Sequence, residues 1–120
     1  MRRQEFSRIE FIDELLAYVI NPDDCDHEAA LKRCGIKEED LDDVREDTLY
    51  VVGPDRNYVE YKCPCGCGNT VFLNTEEGSP HPVWGLEIKD GKLSLYPSVF
   101  SVSWKCKSHY FIKDNKVIWC

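Results

Sequence analysis

No apolar run in the 120 residues approaches the roughly 20 needed to span a bilayer, and the opening Met1-Arg2-Arg3-Gln4-Glu5 leads into further charge instead of an export signal's apolar stretch. The expectation is a cytoplasmic chain that does not bind membranes. Basic residues are also short: 15 Lys and Arg stand against 22 Asp and Glu, a net charge of -7 with no basic stripe, which argues against nucleic acid as a partner. A glycine-rich phosphate loop and a paired-carboxylate constellation are both missing. The seven cysteines are odd in number, and in a chain read as cytoplasmic a disulfide framework explains them poorly.

What is present suits one globular domain, 1–120, with a modest core: 42% hydrophobic and 12% aromatic residues against 31% charged, at a mean hydropathy of -0.45. Charge is uneven. Residues 1–50 hold 15 acids and 7 bases, net -8, and residues 51–120 hold 7 acids and 8 bases, net +1. The two parts therefore have different jobs.

The densest chemistry is Cys63-Pro64-Cys65-Gly66-Cys67-Gly68, three thiols within five residues, with Cys106-Lys107-Ser108-His109 as a distant second pair. Thiolate and imidazole ligands in two short groups are what a tetrahedral zinc site uses. Thiolates two apart on an extended strand stand too far from each other for one ion, so the chain must turn, and Gly66 and Gly68 permit it. The turn is knuckle-like, with Cys-x-Cys-x-Cys in place of Cys-x-x-Cys. Cys63, Cys65, Cys67, Cys106 and His109 are thus five candidate ligands for four places around Zn2+. The expected set is Cys106 and His109 with two of the near three, worth on the order of 10 kcal/mol to folding.

Taken in order, Ile9 and Phe11 alternate with charge as in a strand over residues 5–11, and Ile12, Leu15, Leu16 and Val19 continue with helical spacing until Asn21-Pro22. Asp26 caps a helix from His27 to Cys34, which Gly35 ends, and 37–43 reads as another helical turn or two. The acids Glu38, Glu39, Asp40, Asp42, Asp43, Glu46 and Asp47 form a solvated face, the functional alternative being a dock for a basic partner. From Thr48 onward short strands take over: 48–52, 58–62, 71–73, a hairpin through Asp90-Gly91, and a strand over 98–105 after Pro97. Asp90-Gly91 suits a type I′ turn that pairs Ile88 with Leu93 and Leu86 with Leu95. A final hairpin through Asp114-Asn115 pairs Ile112 with Val117 and Tyr110 with Trp119. The same count sets His109 opposite Cys120, on the face of Phe111 and Ile118, which makes Cys120 a reserve ligand.

The fold class that follows is α+β: a small antiparallel, β-rich, zinc-stapled domain of ribbon or knuckle type over 48–120. An acidic helical segment over 1–47 precedes it, with 21–43 as an insertion. His81, between two prolines, is a loop histidine before it is a base. Cys25 and His27 belong to a helix cap, and Cys34 to apolar packing.

The Cys63–Gly68 block, Leu95-Tyr96-Pro97-Ser98, Cys106-Lys107-Ser108-His109-Tyr110 and the closing Lys116-Val117-Ile118-Trp119 together resemble a domain-of-unknown-function family of small bacterial proteins. The likeness covers about residues 48–120, with Phe6–Asp13 as the opening segment. Members are often encoded beside a ubiquitin-like modifier, its activating and conjugating enzymes and a metallopeptidase. The resemblance implies a zinc-binding adaptor or ligase-like accessory protein of such a system, whose partner is the modifier or one of those enzymes. Two alternatives are a zinc hydrolase with an open metal position and His81 or Glu60 as base, and an acidic inhibitory protein.

Overall fold

The structure is a computed structural model that describes residues 2–14, 27–35, 37, 39, 44–80, 82–100 and 106–120. Short runs of β-branched and aromatic residues, each broken after about five positions by a turn former, yield two four-stranded sheets. The first contains β1 (Arg8–Ile12), β2 (Thr48–Val52), β3 (Tyr58–Lys62) and β4 (Thr70–Asn74), in that spatial order, with β1 parallel to β2 and the remaining pairs antiparallel. The second is an antiparallel meander of β5 (Gly85–Lys89), β6 (Lys92–Phe100), β7 (His109–Lys113) and β8 (Lys116–Trp119).

Alternation decides which side chains are inside. Leu49, Val51, Val59, Tyr61, Val71 and Leu73 of the first sheet meet Leu93, Leu95, Val99, Tyr110, Ile112 and Val117 of the second in one core. In that core the hydroxyls of Tyr61 and Tyr110 lie 2.7 Å apart, each the other's partner, and burial raises the pKa of both far above the usual phenol range. Over β2 the outer face of the first sheet is covered as well, where Val44, Tyr50 and Val52 form a second, smaller cluster, so that every residue of β2 is buried. On the outer face of the second sheet, Tyr96, Phe100, Phe111 and Ile118 are exposed among the described residues.

The segment before β1 joins the two sheets. Val117 N–H donates to Gln4 C=O at 2.8 Å and Phe6 N–H to Asn115 C=O at 2.8 Å, after which the chain crosses to pair with β2. Arg3 N–H donates to Pro64 C=O at 2.6 Å, tying this segment to the cysteine loop.

Both hairpins have the registers expected from their turns, and all four turn residues have positive φ, Asp90 at 52°, Gly91 at 74°, Asp114 at 50° and Asn115 at 66°. Asn115 has a second task. It is buried, its N–H donates to Leu93 C=O at 2.9 Å and its Oδ1 accepts from Leu93 N–H at 2.8 Å, so one residue locks the last turn onto β6. Asn115→Ala is expected to cost about 2 kcal/mol, read as a lower urea midpoint, because it strands a buried N–H and puts a Cβ residue without side-chain support at positive φ.

Two expectations are corrected. The fold is not α+β: the described residues form eight strands and a single helix, α1 (His27–Cys34), which Gly35 closes at φ 68° with its N–H on Lys32 C=O. That helix forms where its cap signals indicated, but at eight residues it has too little apolar area to make a layer. Of the second acidic stretch, 37–43, just Lys37 and Glu39 are among the described residues, and the helical reading of Leu15, Leu16 and Val19 lies outside them, as do Cys25, Asp26, His81 and 101–105. The second correction concerns Pro97, which does not end its strand. β6 runs on to Phe100, and Pro97 falls where the register shifts between Leu95 and Val99, a place in the ladder where a missing N–H is tolerated.

Candidate metal centre and serine-histidine pair

The loop after β3 folds back on itself as the glycines allow. Gly66 N–H donates to Cys63 C=O at 3.1 Å, and Gly66 and Gly68 take φ of 87° and 89°, values that a side chain would resist. The result gathers Cys63, Cys65 and Cys67, and Cys106, just ahead of β7, completes the group: all four Sγ atoms lie within 4.8 Å of one another. Tetrahedral coordination at a metal–sulfur distance of about 2.3 Å puts sulfurs about 3.8 Å apart, so the cluster fits one ion with side-chain adjustment alone. Cys67 N–H points at Cys65 Sγ at 3.3 Å, Asn69 Nδ2 at Cys67 Sγ at 3.3 Å, and Ser108 Oγ lies 3.6 Å from Cys63 Sγ. Such donors offset the charge that thiolates bring to a site.

The thiols are unequal. Burial opposes ionisation of Cys65, but hydrogen bonds from Ser108, Cys67 and Cys63 outweigh it and bring that thiol down to about 7. Burial raises Cys63 and Cys67 instead. The four can hold a metal ion between them. Four thiolates would supply all the ligands that a structural zinc site takes, whereas a catalytic one keeps a position for water. Glu60, offered as its base, lies on β3 between Val59 and Tyr61, which face the core, so its own side chain is directed to the other face of that sheet.

His109 is not part of this group. On β7 the side chains of Tyr110 and Ile112 enter the core, so His109, Phe111 and Lys113 face outward. Cys120 is exposed beside it, its N–H on His109 C=O at 3.0 Å. The imidazole has a different partner: its Nε2 is 3.0 Å from Ser98 Oγ. Continuing the ladder from Phe100↔His109 and Val99↔Tyr110 sets Ser98 opposite Phe111, which makes His109 its diagonal neighbour on the same face, within reach of an imidazole. The Phe100 ring packs on the imidazole at 5.0 Å between centroids, and Ser98 C=O accepts from Trp84 Nε1 at 3.4 Å. The pair lies beside the irregular part of β6, on the open face of the sheet.

Ser98 had been legible as part of the Pro97-Ser98 block without being assigned chemistry, because nothing in linear spacing connects it to a histidine eleven residues later. Register supplied the connection. Ser108 is the weaker candidate for a nucleophile, since it is 4% exposed and turned to Cys63.

Two features therefore stand out: a small β-sandwich with a four-thiol group between the ends of its two sheets, and an outward serine–histidine pair. The family described as bacterial ubiquitination-like system serine protease (BubE) matches residues 36–120, and the chain belongs to that family. Membership ties it to bacterial ubiquitin-like systems and so to protein partners. No curated protein and no solved structure gives a match.

Proposed function

We propose that this protein is a serine protease of a bacterial ubiquitin-like system, with Ser98 as nucleophile, His109 as general base and acid, and the four cysteines holding a structural zinc ion. The observation that carries the reading is the 3.0 Å contact between Ser98 Oγ and His109 Nε2 on an open sheet face. With the ring proton on Nδ1, Nε2 accepts the Ser98 proton as Oγ bonds to the scissile carbonyl carbon. Collapse of the tetrahedral intermediate breaks the carbonyl–nitrogen bond, and His109 passes its proton to the leaving amine. Water then repeats the sequence on the Ser98 ester, releasing a carboxylic acid and restoring the hydroxyl.

Four thiolates in a tetrahedron favour zinc. The ion's part is to clamp the loop after β3 to the start of β7, three residues before His109, and a closed site takes no share in bond breaking. Labelling with an alkyl fluorophosphonate tests the pair: one adduct per chain, mapped to Ser98 by peptide mass spectrometry, is expected. An unlabelled, folded, zinc-loaded protein would sink the protease reading.

The adaptor role expected from sequence remains the second reading, favoured by the exposed aromatic side chains of the second sheet, which could serve binding alone. It requires that a Ser98→Ala chain still support conjugation in a reconstituted system, whereas the protease reading requires that it does not replace the wild type.

A further inference from the structure

The outer face of the second sheet is apolar to an unusual degree for a surface. Tyr96 is 75% exposed, Phe100 53%, Phe111 38% and Ile118 48%, four of the six exposed large hydrophobics among the described residues. Three of them, Tyr96, Phe111 and Ile118, line a shallow groove of about 530 Å³ over Gly85, where the missing side chain leaves room beside Glu87. This groove begins where the serine–histidine pair ends. Ser98 is two residues beyond Tyr96 on β6, and His109 is two before Phe111 on β7, so about 7 Å of strand separates the reacting atoms from the groove wall.

We infer that this groove is the specificity subsite of the Ser98–His109 pair and takes a large apolar side chain of an extended polypeptide substrate, within a few residues of the bond that is cut. The inference rests on the protease reading. Adjacency identifies the occupant: a chain laid along β6 past Ser98 meets this hollow two residues away, at Tyr96, and its wall there is aromatic and aliphatic. The volume suits one or two side chains, far short of a folded partner's interface. Glu87 and Lys113 flank the hollow with opposite charge, so neither an acidic nor a basic side chain is matched throughout.

The test compares internally quenched decapeptides that differ at one position. Wild-type protein is expected to cut peptides with Leu, Ile, Phe or Tyr at one position near the cut about tenfold or more faster, in kcat/KM, than the same peptides with Ala there. In a Phe111→Ser, Ile118→Ser double variant, checked for folding by thermal melting, that ratio is expected to fall to about one, while Lys92→Ser on the same sheet outside the groove keeps it. A ratio that survives in the double variant, or no apolar preference at any position, overturns the subsite. Fluorophosphonate labelling of the wild type separates the failures: a labelled protein without apolar preference loses the subsite alone, and an unlabelled one loses the protease reading and the subsite together.

Discussion

Ser98→Ala is expected to lower kcat for peptide cleavage on the order of 10⁴ to 10⁶ fold, the range in which nucleophile removal leaves serine proteases. His109→Ala is expected to lose about 10² to 10⁴ fold through the missing proton acceptor. Because the two groups act as one unit, the double variant should be scarcely slower than Ser98→Ala, and that non-additivity distinguishes a joint mechanism from two independent surface effects. Stability should change little, as Ser98 is half-buried and His109 exposed. The measurement is steady-state cleavage beside a thermal melt. A Ser98→Ala protein that cleaves at the wild-type rate removes the assignment, and equal damage from Ser108→Ala would point to the thiol centre instead.

Stripping the metal is the second large effect. Domains of this size hold about 5–15 kcal/mol of stability in total, and a structural zinc contributes on the order of 10 kcal/mol, so chelation should abolish the near-ultraviolet signal of the packed aromatics. The position of the centre says why. Cys63, Cys65 and Cys67 follow β3 of the first sheet and Cys106 precedes β7 of the second, so an ion held by the four would join the two sheets. Cys106→Ala removes the single ligand from the second sheet and should mimic chelation. Zinc returned to the stripped wild type should restore both the aromatic signal and Ser98 labelling, and should restore neither in the variant. A metal-free protein with an intact melt would refute the structural role.

The two ends of the segment Cys106-Lys107-Ser108-His109 are separated by strand geometry. Cys-x-x-His is ligand spacing, and it invited a reading in which both ends bind one ion. Cys106 lies ahead of β7 and turns inward to the thiols, whereas His109 is the first residue of the strand, where the core position of its neighbour Tyr110 sends it outward. Pairing His109 with Cys120 and Phe111 on one face was already legible from the Asp114-Asn115 hairpin. Which of the two faces would be buried was not, since Phe111 and Ile118 are as apolar as Ile112 and Val117.

What the amino-acid sequence determined by itself was local: the two hairpin registers, the strands from Thr48 to Lys62, the helix at His27–Cys34 and the gathering of three thiols by Gly66 and Gly68. These follow from turn chemistry and alternation, whose range is a few residues. Tertiary structure decided the rest. It made the described residues nearly all β, by burying sheet against sheet and leaving the short helix His27–Cys34 too small to form a layer. It brought all three near thiols together with Cys106 and turned His109 away from them, and it carried β6 past Pro97 so that Ser98 came within 3.0 Å of His109. That last contact depends on strand register between β6 and β7, which packing of Leu95, Val99, Tyr110 and Ile112 in the shared core sets and no spacing along the chain expresses.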